Sequence, residues 1–169
     1  MSTDTNKEAM LVSEVAVEDN VKDAVIDVSS RLREVDYNPM ILHGKAAHTA
    51  QFLEQLAAYE KDMTANWNIM EITGEQLAKD YTDSVTYGHV ADFMERFVKL
   101  DRLVITHFDS VLETADELEQ RAVVRIILGL RGQMRQVILT IEDEVMAYEG
   151  NIIPEMINLL DNASEVGIK

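Results

Sequence analysis

Apolar residues follow a helical rhythm most clearly in the stretch 114–150. Side chains there recur at steps of three to five residues: Leu118, Ala122, Val123, Ile127, Leu130, Met134, Val137, Ile141, Val145 and Tyr148. Steps of this size place side chains on one face of an α-helix, so the pattern predicts a single long helix over about 115–149. Other apolar residues, among them Val124 and Ile126, lie off that face. A helix that is apolar over so much of its girth is usually buried on more than one side.

Both ends of this predicted helix carry residues that cap helices. Thr114 and Glu117 have the spacing of a capping box, in which a threonine hydroxyl and a glutamate satisfy free backbone N–H groups. Gly150 suits the left-handed conformation that closes a helix, and Pro154 follows shortly afterwards. The sequence therefore predicts where the long helix begins and ends.

The rest of the chain shows the same periodicity in shorter pieces. It predicts further helices over about 19–35, 39–66, 73–85, 89–113 and 153–160. No segment shows sustained alternation of apolar and polar residues, so no β-strand is expected. The predicted fold class is all-α, a helical bundle of five to six helices around the long central C-terminal helix. The predicted domain organisation is a flexible acidic tail (1–18), a single helical bundle domain (19–162) and a polar tail (163–169).

Composition suits a single domain and narrows its environment. The chain has 169 residues, of which 47% are hydrophobic and only 6% aromatic, so its core is expected to be aliphatic. The net charge of −16 repels phosphate backbones and anionic membranes, so neither direct nucleic-acid binding nor membrane association is expected. There is no cysteine, no apolar run of membrane-spanning length and no leader-like N-terminus. These features together predict a cytoplasmic protein.

Four arginines form the one local excess of positive charge. Arg121, Arg125, Arg131 and Arg135 project into a sector about 120° wide on the predicted helix. Residues 119–135 carry four positive charges and one negative charge. One interpretation is internal ion pairing with acidic neighbouring helices. The other is a binding site for a carboxylate-rich or phosphate-bearing partner, because guanidinium groups suit both.

A search for catalytic or metal chemistry finds none. His43, His48, His89 and His107 lack the Glu-x-x-His spacing of di-iron bundles, so no metal site is expected. The sequence contains no G-x-x-x-x-G-K-[ST] phosphate loop and no G-x-S-x-G nucleophile motif. We therefore expect a protein that is not an enzyme and has no cofactor.

Three functions remain compatible with these observations. The first is a non-enzymatic acidic interaction protein, such as an adaptor, assembly factor or structural subunit, with a protein partner of unknown identity. The second is an acidic inhibitor or DNA mimic that binds a basic nucleic-acid-binding protein. The third is a helical-bundle metal or cofactor protein, for which the sequence offers no ligand set.

The predicted long helix also leads to an expectation of self-association. It would extend about 14 Å beyond its hairpin partner, and the overhang is too apolar to face water as one patch. The residues that would lie there include Val137, Ile138, Ile141 and Val145. Either the second and sixth helices cover them, or a second subunit does so in a homodimer, which is the preferred alternative.

Overall fold

The computed structural model describes residues 14–15, 21–34, 38–148 and 152–169. These residues form a parallel β-sheet with helices on both faces. The fold class is therefore α/β, and the prediction of an all-α helical bundle is wrong. The sections of chain that were expected to form long helices contain the strands of this sheet.

The elements alternate along the chain, as in other open parallel sheets. The strands are β1 (Glu14–Val15), β2 (Met40–His43), β3 (Ile69–Thr73), β4 (Arg102–Thr106), β5 (Gln136–Ile141) and β6 (Ser164–Ile168). The helices are α1 (Val21–Leu32), α2 (Ala46–Tyr59), α3 (Gly74–Tyr87), α4 (Val90–Val98), α5 (Asp109–Thr114), α6 (Glu117–Gly132) and α7 (Pro154–Asp161). A short 3₁₀ helix lies at Val145–Tyr148.

The sheet has the strand order β1-β6-β2-β5-β4-β3, and every described pairing is parallel. β2 lies in the middle, with Met40 opposite Ile138 of β5 on one side and Ser164 of β6 on the other. β3 forms one edge of the sheet. The chain reaches β3 after β2 and then returns strand by strand through β4 and β5, before crossing β2 to reach β6.

Two apolar layers hold the helices against the sheet. Alternate strand residues such as Ile41, Leu103 and Leu139 face the layer that contains α3 to α7. The residues between them, such as Leu42 and Ile138, face α1 and α2. Because both sides of the central strands are buried, their sequences are apolar at nearly every position and do not alternate.

The predicted long helix over 115–149 is wrong in its second half. The helix ends at Gly132, the backbone turns through Met134 with φ 61°, and β5 follows at Gln136–Ile141. Its capping box is formed by Asp116 and Glu119, not by Thr114 and Glu117. The predicted closing residue Gly150 lies outside the described residues.

Other predicted boundaries fare unevenly. The predicted start of the helix over 73–85 is confirmed, because α3 begins at Gly74 and the Thr73 side chain accepts a hydrogen bond from the N–H of Gln76. The predicted helices over 39–66 and 89–113 are each broken by a strand, β2 and β4 respectively. The predicted polar tail over 163–169 contains β6, whose side chains are mostly buried. The predicted tail over 1–18 lies outside the described residues, apart from β1.

The residues predicted for self-association are not available for it. Val137, Ile138 and Ile141 belong to β5 and are 0%, 0% and 3% exposed. Val145 is half-buried at the start of the 3₁₀ helix. The helical overhang from which the homodimer was inferred does not exist, so self-association has no basis in these residues.

Candidate functional site

Ligands of open parallel sheets bind outside the carboxyl ends of the strands, where the strand order changes direction. In this sheet that point lies at β2, because the chain continues to β3 on one side and returns to β6 on the other. The segments that meet there are the turn after β2, the residues after β4 and the residues after β5. We call this side of the sheet the carboxyl edge and the opposite side the amino edge.

The turn after β2 is very short. Only Gly44 and Lys45 separate β2 from α2. The N–H of Gly44 donates to the carbonyl oxygen of Ile141 over 3.0 Å. A Cβ atom on Gly44 would lie 2.2 Å from the backbone oxygen of Ile168, so no side chain fits at this position. The backbone of β6 thus occupies the space beside the turn.

The residues after β4 are held by β5. His107 adopts a left-handed conformation with φ 49°, and its N–H donates to Oγ1 of Thr140 over 3.0 Å. The N–H of Phe108 donates to the backbone oxygen of Thr140 over 2.8 Å. These contacts turn the chain from β4 into α5. Sequence analysis did not identify Thr140, because it lies within an apolar run.

The space directly beside the turn after β2 is small. A cavity of about 10 Å³ lies among Gly44, Ala46, Thr49, His107, Asp109, Thr140, Ile141 and Glu142. That volume is about the space needed for one water molecule. Two of the lining residues, Asp109 and Glu142, are acidic, and at neutral pH their carboxylates disfavour a polyphosphate.

A larger cleft, which we call the sheet cleft, lies on the α2 face. Its volume is about 500 Å³, within the range of small-molecule sites. α2 forms one wall, and β3, β4 and β5 form the floor. The cleft exists because α1 and α2 leave the β3 side of this face uncovered among the described residues. Polar lining residues include Thr49, Thr106 and Thr140, beside apolar Leu53 and Val104.

The amino edge contains a buried polar network. The guanidinium of Arg102 donates to both carboxylate oxygens of Glu60, over 2.7 and 3.1 Å, and to the side-chain oxygen of Gln136 over 2.8 and 2.6 Å. Oγ of Ser29 on α1 donates to Glu60 over 2.8 Å. The Arg102 guanidinium carbon also lies 5.4 Å from the centre of the Trp67 ring. Sequence analysis missed this network, because its members are far apart in the chain.

The four predicted arginines do not form one cluster. Arg121 pairs with Glu117 over 2.6 Å, and Arg135 lies beyond the end of α6 and pairs with Asp101. Arg125 is exposed and Arg131 is partly exposed, and neither has an ion pair among the described residues. Arg125 borders a groove of about 90 Å³ between α4 and α6. Internal pairing therefore accounts for two of the four arginines.

The histidines are scattered over the molecule. Nε2 of His43 lies 3.8 Å from Glu165, and Nδ1 of His89 lies 3.8 Å from Asp92. His107 lies at the carboxyl edge, and His48 lies on α2. Within the described ranges, no group of three or more His, Cys, Asp or Glu side chains has an arrangement that could hold a metal ion.

Among the described residues, Tyr148 is the one side chain whose pKa departs clearly from its ordinary value. Burial raises the pKa of its hydroxyl above the ordinary value of 10.0, and the nearby carboxylates of Asp109, Asp143 and Glu113 raise the pKa further. The hydroxyl oxygen accepts a hydrogen bond from the N–H of Asp143 over 3.1 Å, which lowers the pKa in part. This hydrogen bond joins the 3₁₀ helix to the segment that follows β5. No helix among the described residues is long and apolar enough to cross a membrane.

Comparison with known proteins gives a consistent result. Residues 14–150 match the profile of the family described as the bacterial DnaA ATPase domain. No curated protein sequence matches the chain. Among solved structures, domain III of the replication initiation protein DnaA from Thermotoga maritima is 18% identical with a TM-score of 0.73, over 99% of this chain and 68% of that one.

Two further structures share the fold. AMPPCP-bound DnaA from Aquifex aeolicus is 14% identical with a TM-score of 0.73, over 87% of this chain and 44% of that one. A replication initiator DnaA bound to AMPPCP and single-stranded DNA is 16% identical with a TM-score of 0.73, over 99% of this chain and 50% of that one. This chain thus spans half or less of the length of these two proteins.

These matches correct several predictions. The family match contradicts a non-enzymatic acidic adaptor, and it equally contradicts the DNA mimic and the helical-bundle cofactor protein. The prediction that the chain is not an enzyme rested on missing motifs alone, and the match to an ATPase domain overturns it. The expectation of no nucleic-acid binding is also contradicted, because one matching structure contains single-stranded DNA.

The fold implies a nucleotide, and the carboxyl edge can be tested for its fit. A phosphate loop needs a run of backbone N–H groups and a lysine around the phosphates, and an acidic residue for the magnesium ion. Here the turn after β2 has two residues, β4 ends at Thr106, and His107 follows it. The cavity beside Gly44 has a volume of about 10 Å³, and two of its lining residues are acidic. The residues present do not fit a magnesium-bound triphosphate.

Proposed function

Because the chain belongs to the family of the bacterial DnaA ATPase domain, we propose that it acts in the initiation of DNA replication in the cytoplasm by contacting single-stranded DNA. The contact surface is the outer side of α6 with Arg125 and Arg131, which we call the basic surface. The observation that carries the proposal is that these two arginines have no ion pair among the described residues.

The local charge supports this assignment. Residues 119–135 carry an excess of three positive charges in a chain whose net charge is −16. Arg125 and Arg131 are separated by six positions, which is about 9 Å along a helix axis. A guanidinium group pairs with phosphates and stacks on bases, so both arginines suit a flexible single strand.

The surroundings of the basic surface are apolar and accessible. Leu128 on α6 is 48% exposed, Met134 just after it is 78% exposed, and Val98 on α4 is 52% exposed. Val98 and Arg125 line the same groove between α4 and α6. Unstacked bases present apolar faces as well as charged phosphates, which makes a mixed surface of this kind suitable.

The acidic remainder of the chain limits the strength of the interaction. Like charge repels nucleic acid everywhere except at a local positive surface, and salt weakens the attraction that remains. We therefore expect binding that is weak at physiological salt and measurable at low salt. The matching DnaA structure with single-stranded DNA supports looking for this activity here.

Fluorescence anisotropy with a labelled oligothymidylate at low salt tests the proposal. Arg125→Glu with Arg131→Glu should weaken binding more than tenfold, since two phosphate contacts become repulsive. It should also reduce the slope of log K against log salt by about 1.4, at 0.7 for each phosphate contact on a single strand. A folded double variant that binds as well as the parent would contradict the proposal.

The matched control is Lys22→Glu with Lys61→Glu. Both lysines are exposed and lie on α1 and just after α2, on the opposite face of the sheet from α6. This pair changes the net charge by the same amount. Equal losses in the two double variants would mean that only the total charge matters, and the basic surface would then have no role.

A further inference from the structure

β3 is an edge strand that the described residues leave open. Its one neighbour in the sheet is β4. Ile69, Glu71 and Thr73 are exposed, and Met70 and Ile72 are half-buried against the core. Protein edges are usually protected by proline, lysine, a bulge or a covering element. The sequence Ile-Met-Glu-Ile-Thr contains neither proline nor lysine, and no described element covers it.

The outward-facing backbone groups of β3 can be assigned from its pairing. The carbonyl oxygen of Asn68 accepts from the N–H of Asp101 over 2.8 Å and from that of Arg102 over 3.3 Å, so Asn68 faces β4. In a parallel ladder, alternate residues bond the same neighbour. Met70 and Ile72 therefore bond to β4, and Ile69 and Glu71 direct their N–H and C=O groups away from the sheet.

A groove borders each side of this edge. On the α2 face, Ile69 and Glu71 line the sheet cleft of about 500 Å³. On the other side lies an open groove of about 630 Å³. Its lining residues are Trp67, Asn68, Ile69, Met70, Glu71, Arg96, Lys99 and Leu100. Successive side chains of a strand point to opposite faces, so an added strand would direct its side chains into both grooves.

The charge around the sheet cleft indicates what kind of strand fits. Glu54 on α2 and Glu71 on β3 both line the cleft and are exposed, and neither has an ion pair among the described residues. Leu53 and Ile69 provide apolar surface beside them. Lysine and arginine place an aliphatic stem on apolar surface and a charged group in water, and therefore match such a rim.

We propose that the open edge of β3 binds an extended segment of a partner protein in which Lys or Arg alternates with apolar residues. The segment pairs with the outward N–H and C=O groups of Ile69 and Glu71 and continues the sheet by one strand. Its basic side chains lie over the sheet cleft and meet Glu54 and Glu71. Its apolar side chains lie on the other face, beside Met70 and Ile72.

A second copy of this chain is the less suitable occupant. Two-fold pairing of two β3 edges is antiparallel and brings the two Glu71 side chains near each other, where like charges destabilise a strand pair. Net charges of −16 on both copies add to this repulsion. A basic segment from another protein replaces repulsion with attraction at the same position.

The test uses ¹⁵N-labelled full-length protein and synthetic octapeptides that alternate valine with lysine, glutamine or glutamate. The lysine peptide at millimolar concentration should shift the amide signals of Ile69 and Glu71. Affinity should decrease in the order lysine, glutamine, glutamate. A lysine peptide that is N-methylated on alternate residues should lose at least tenfold in affinity, because it cannot complete the ladder. An unchanged affinity after N-methylation, or no shift of the β3 amides, overturns the proposal.

Charge-neutral variants sharpen the result. Glu54→Gln with Glu71→Gln should weaken binding of the lysine peptide roughly three- to tenfold, since exposed ion pairs contribute modestly. The control Glu113→Gln with Glu155→Gln removes two exposed carboxylates elsewhere and should leave the affinity unchanged. Equal losses in both variants overturn the placement at β3. A concentration-dependent dimer in sedimentation that Glu71→Lys abolishes would assign the edge to a second copy and overturn the proposal.

Discussion

The two edges of the sheet differ in how they use polar residues. At the amino edge, Arg102, Glu60 and Gln136 are at most 7% exposed and satisfy one another with five hydrogen bonds when Ser29 is included. The carboxyl edge is where such sheets bind ligands. There the turn after β2 has only two residues, and the cavity beside Gly44 has a volume of about 10 Å³. The buried polar network at the amino edge therefore stabilises the scaffold.

This difference explains how the chain keeps the fold of an ATPase domain although its carboxyl edge does not fit a magnesium-bound triphosphate. The buried network joins α1, the end of α2, β4 and β5. None of these contacts uses a residue of the carboxyl edge. A substitution at the carboxyl edge therefore leaves the buried network at the amino edge intact.

The largest effect is expected at the amino edge. Arg102→Met leaves the buried carboxylate of Glu60 without its cation, which should lower the free energy of unfolding by about 3–5 kcal/mol. Urea denaturation measures the loss. Lys99→Met, at an exposed position nearby, should change stability by less than about 0.5 kcal/mol. If Arg102→Met costs no more than Lys99→Met, the network does not stabilise the sheet.

A smaller loss is expected from adding a side chain in the turn after β2. Gly44→Ala places a Cβ 2.2 Å from the backbone oxygen of Ile168, so β6 must shift, at a cost of about 1–3 kcal/mol. Gly129→Ala is the matched control, because no atom lies within 4 Å of its added Cβ. That helical substitution should raise stability by about 1 kcal/mol. If Gly44→Ala raised the free energy of unfolding as Gly129→Ala does, the contact at Gly44 would be unimportant.

A pH-dependent change is expected from Tyr148. Burial raises its pKa above 10.0 in the folded state, so the unfolded chain loses this proton first as the pH rises. The contribution of Tyr148 to the free energy of unfolding should therefore be constant below pH 10.0. Above that pH it should decrease until the folded-state pKa is passed. Denaturation at a series of alkaline pH values, compared with Tyr148→Phe, isolates the effect. A parent and variant with parallel profiles would assign the decrease to other groups.

The smallest expected effect is that of a nucleotide. Magnesium AMPPCP should leave the melting temperature unchanged, because neither the turn after β2 nor the cavity accommodates its phosphates. A ligand at one hundred times its Kd would add about 2.7 kcal/mol to the stability of a protein that binds it. DnaA from Aquifex aeolicus, whose structure contains AMPPCP, is the positive control. A saturable increase in melting temperature would show that the edge opens to a nucleotide.

The strands could not be recognised from alternation, because there is none in the middle of this sheet. Leu103, Val104 and Ile105 are each at most 6% exposed, and Val137 to Leu139 are fully buried. Such runs resemble buried helix in their hydrophobicity, and β5 continues the apolar periodicity of α6. The β-branched residues of these runs and their short length were the available indications of strand. Caps gave a mixed result, because Thr73 caps α3 whereas the capping box predicted at Thr114 and Glu117 is not formed.

The functional elements were harder to predict for a different reason. The expectation that the chain is not an enzyme rested on motifs that the sequence lacks, and the match to an ATPase domain contradicts it. A fold is specified by its buried residues, and the residues of the carboxyl edge can differ while the buried residues stay the same. Arg102 and Glu60 are 42 positions apart, so only the fold reveals that they meet. The periodicity correctly places Arg125 and Arg131 on one helix, and their contact with a partner stays a prediction.

The position of β2 has a consequence for how the chain folds. β2 is completed at residue 43, yet its two neighbours in the sheet come from residues 136–141 and 164–168. During synthesis, a nascent chain that ends before β5 contains the central strand without either neighbour. Pairing across such distances along the chain is slow, because a long loop must close before any contact forms. Until β5 leaves the ribosome, Met40–His43 has two open edges and apolar side chains on both faces, so the unfinished chain is prone to aggregate there.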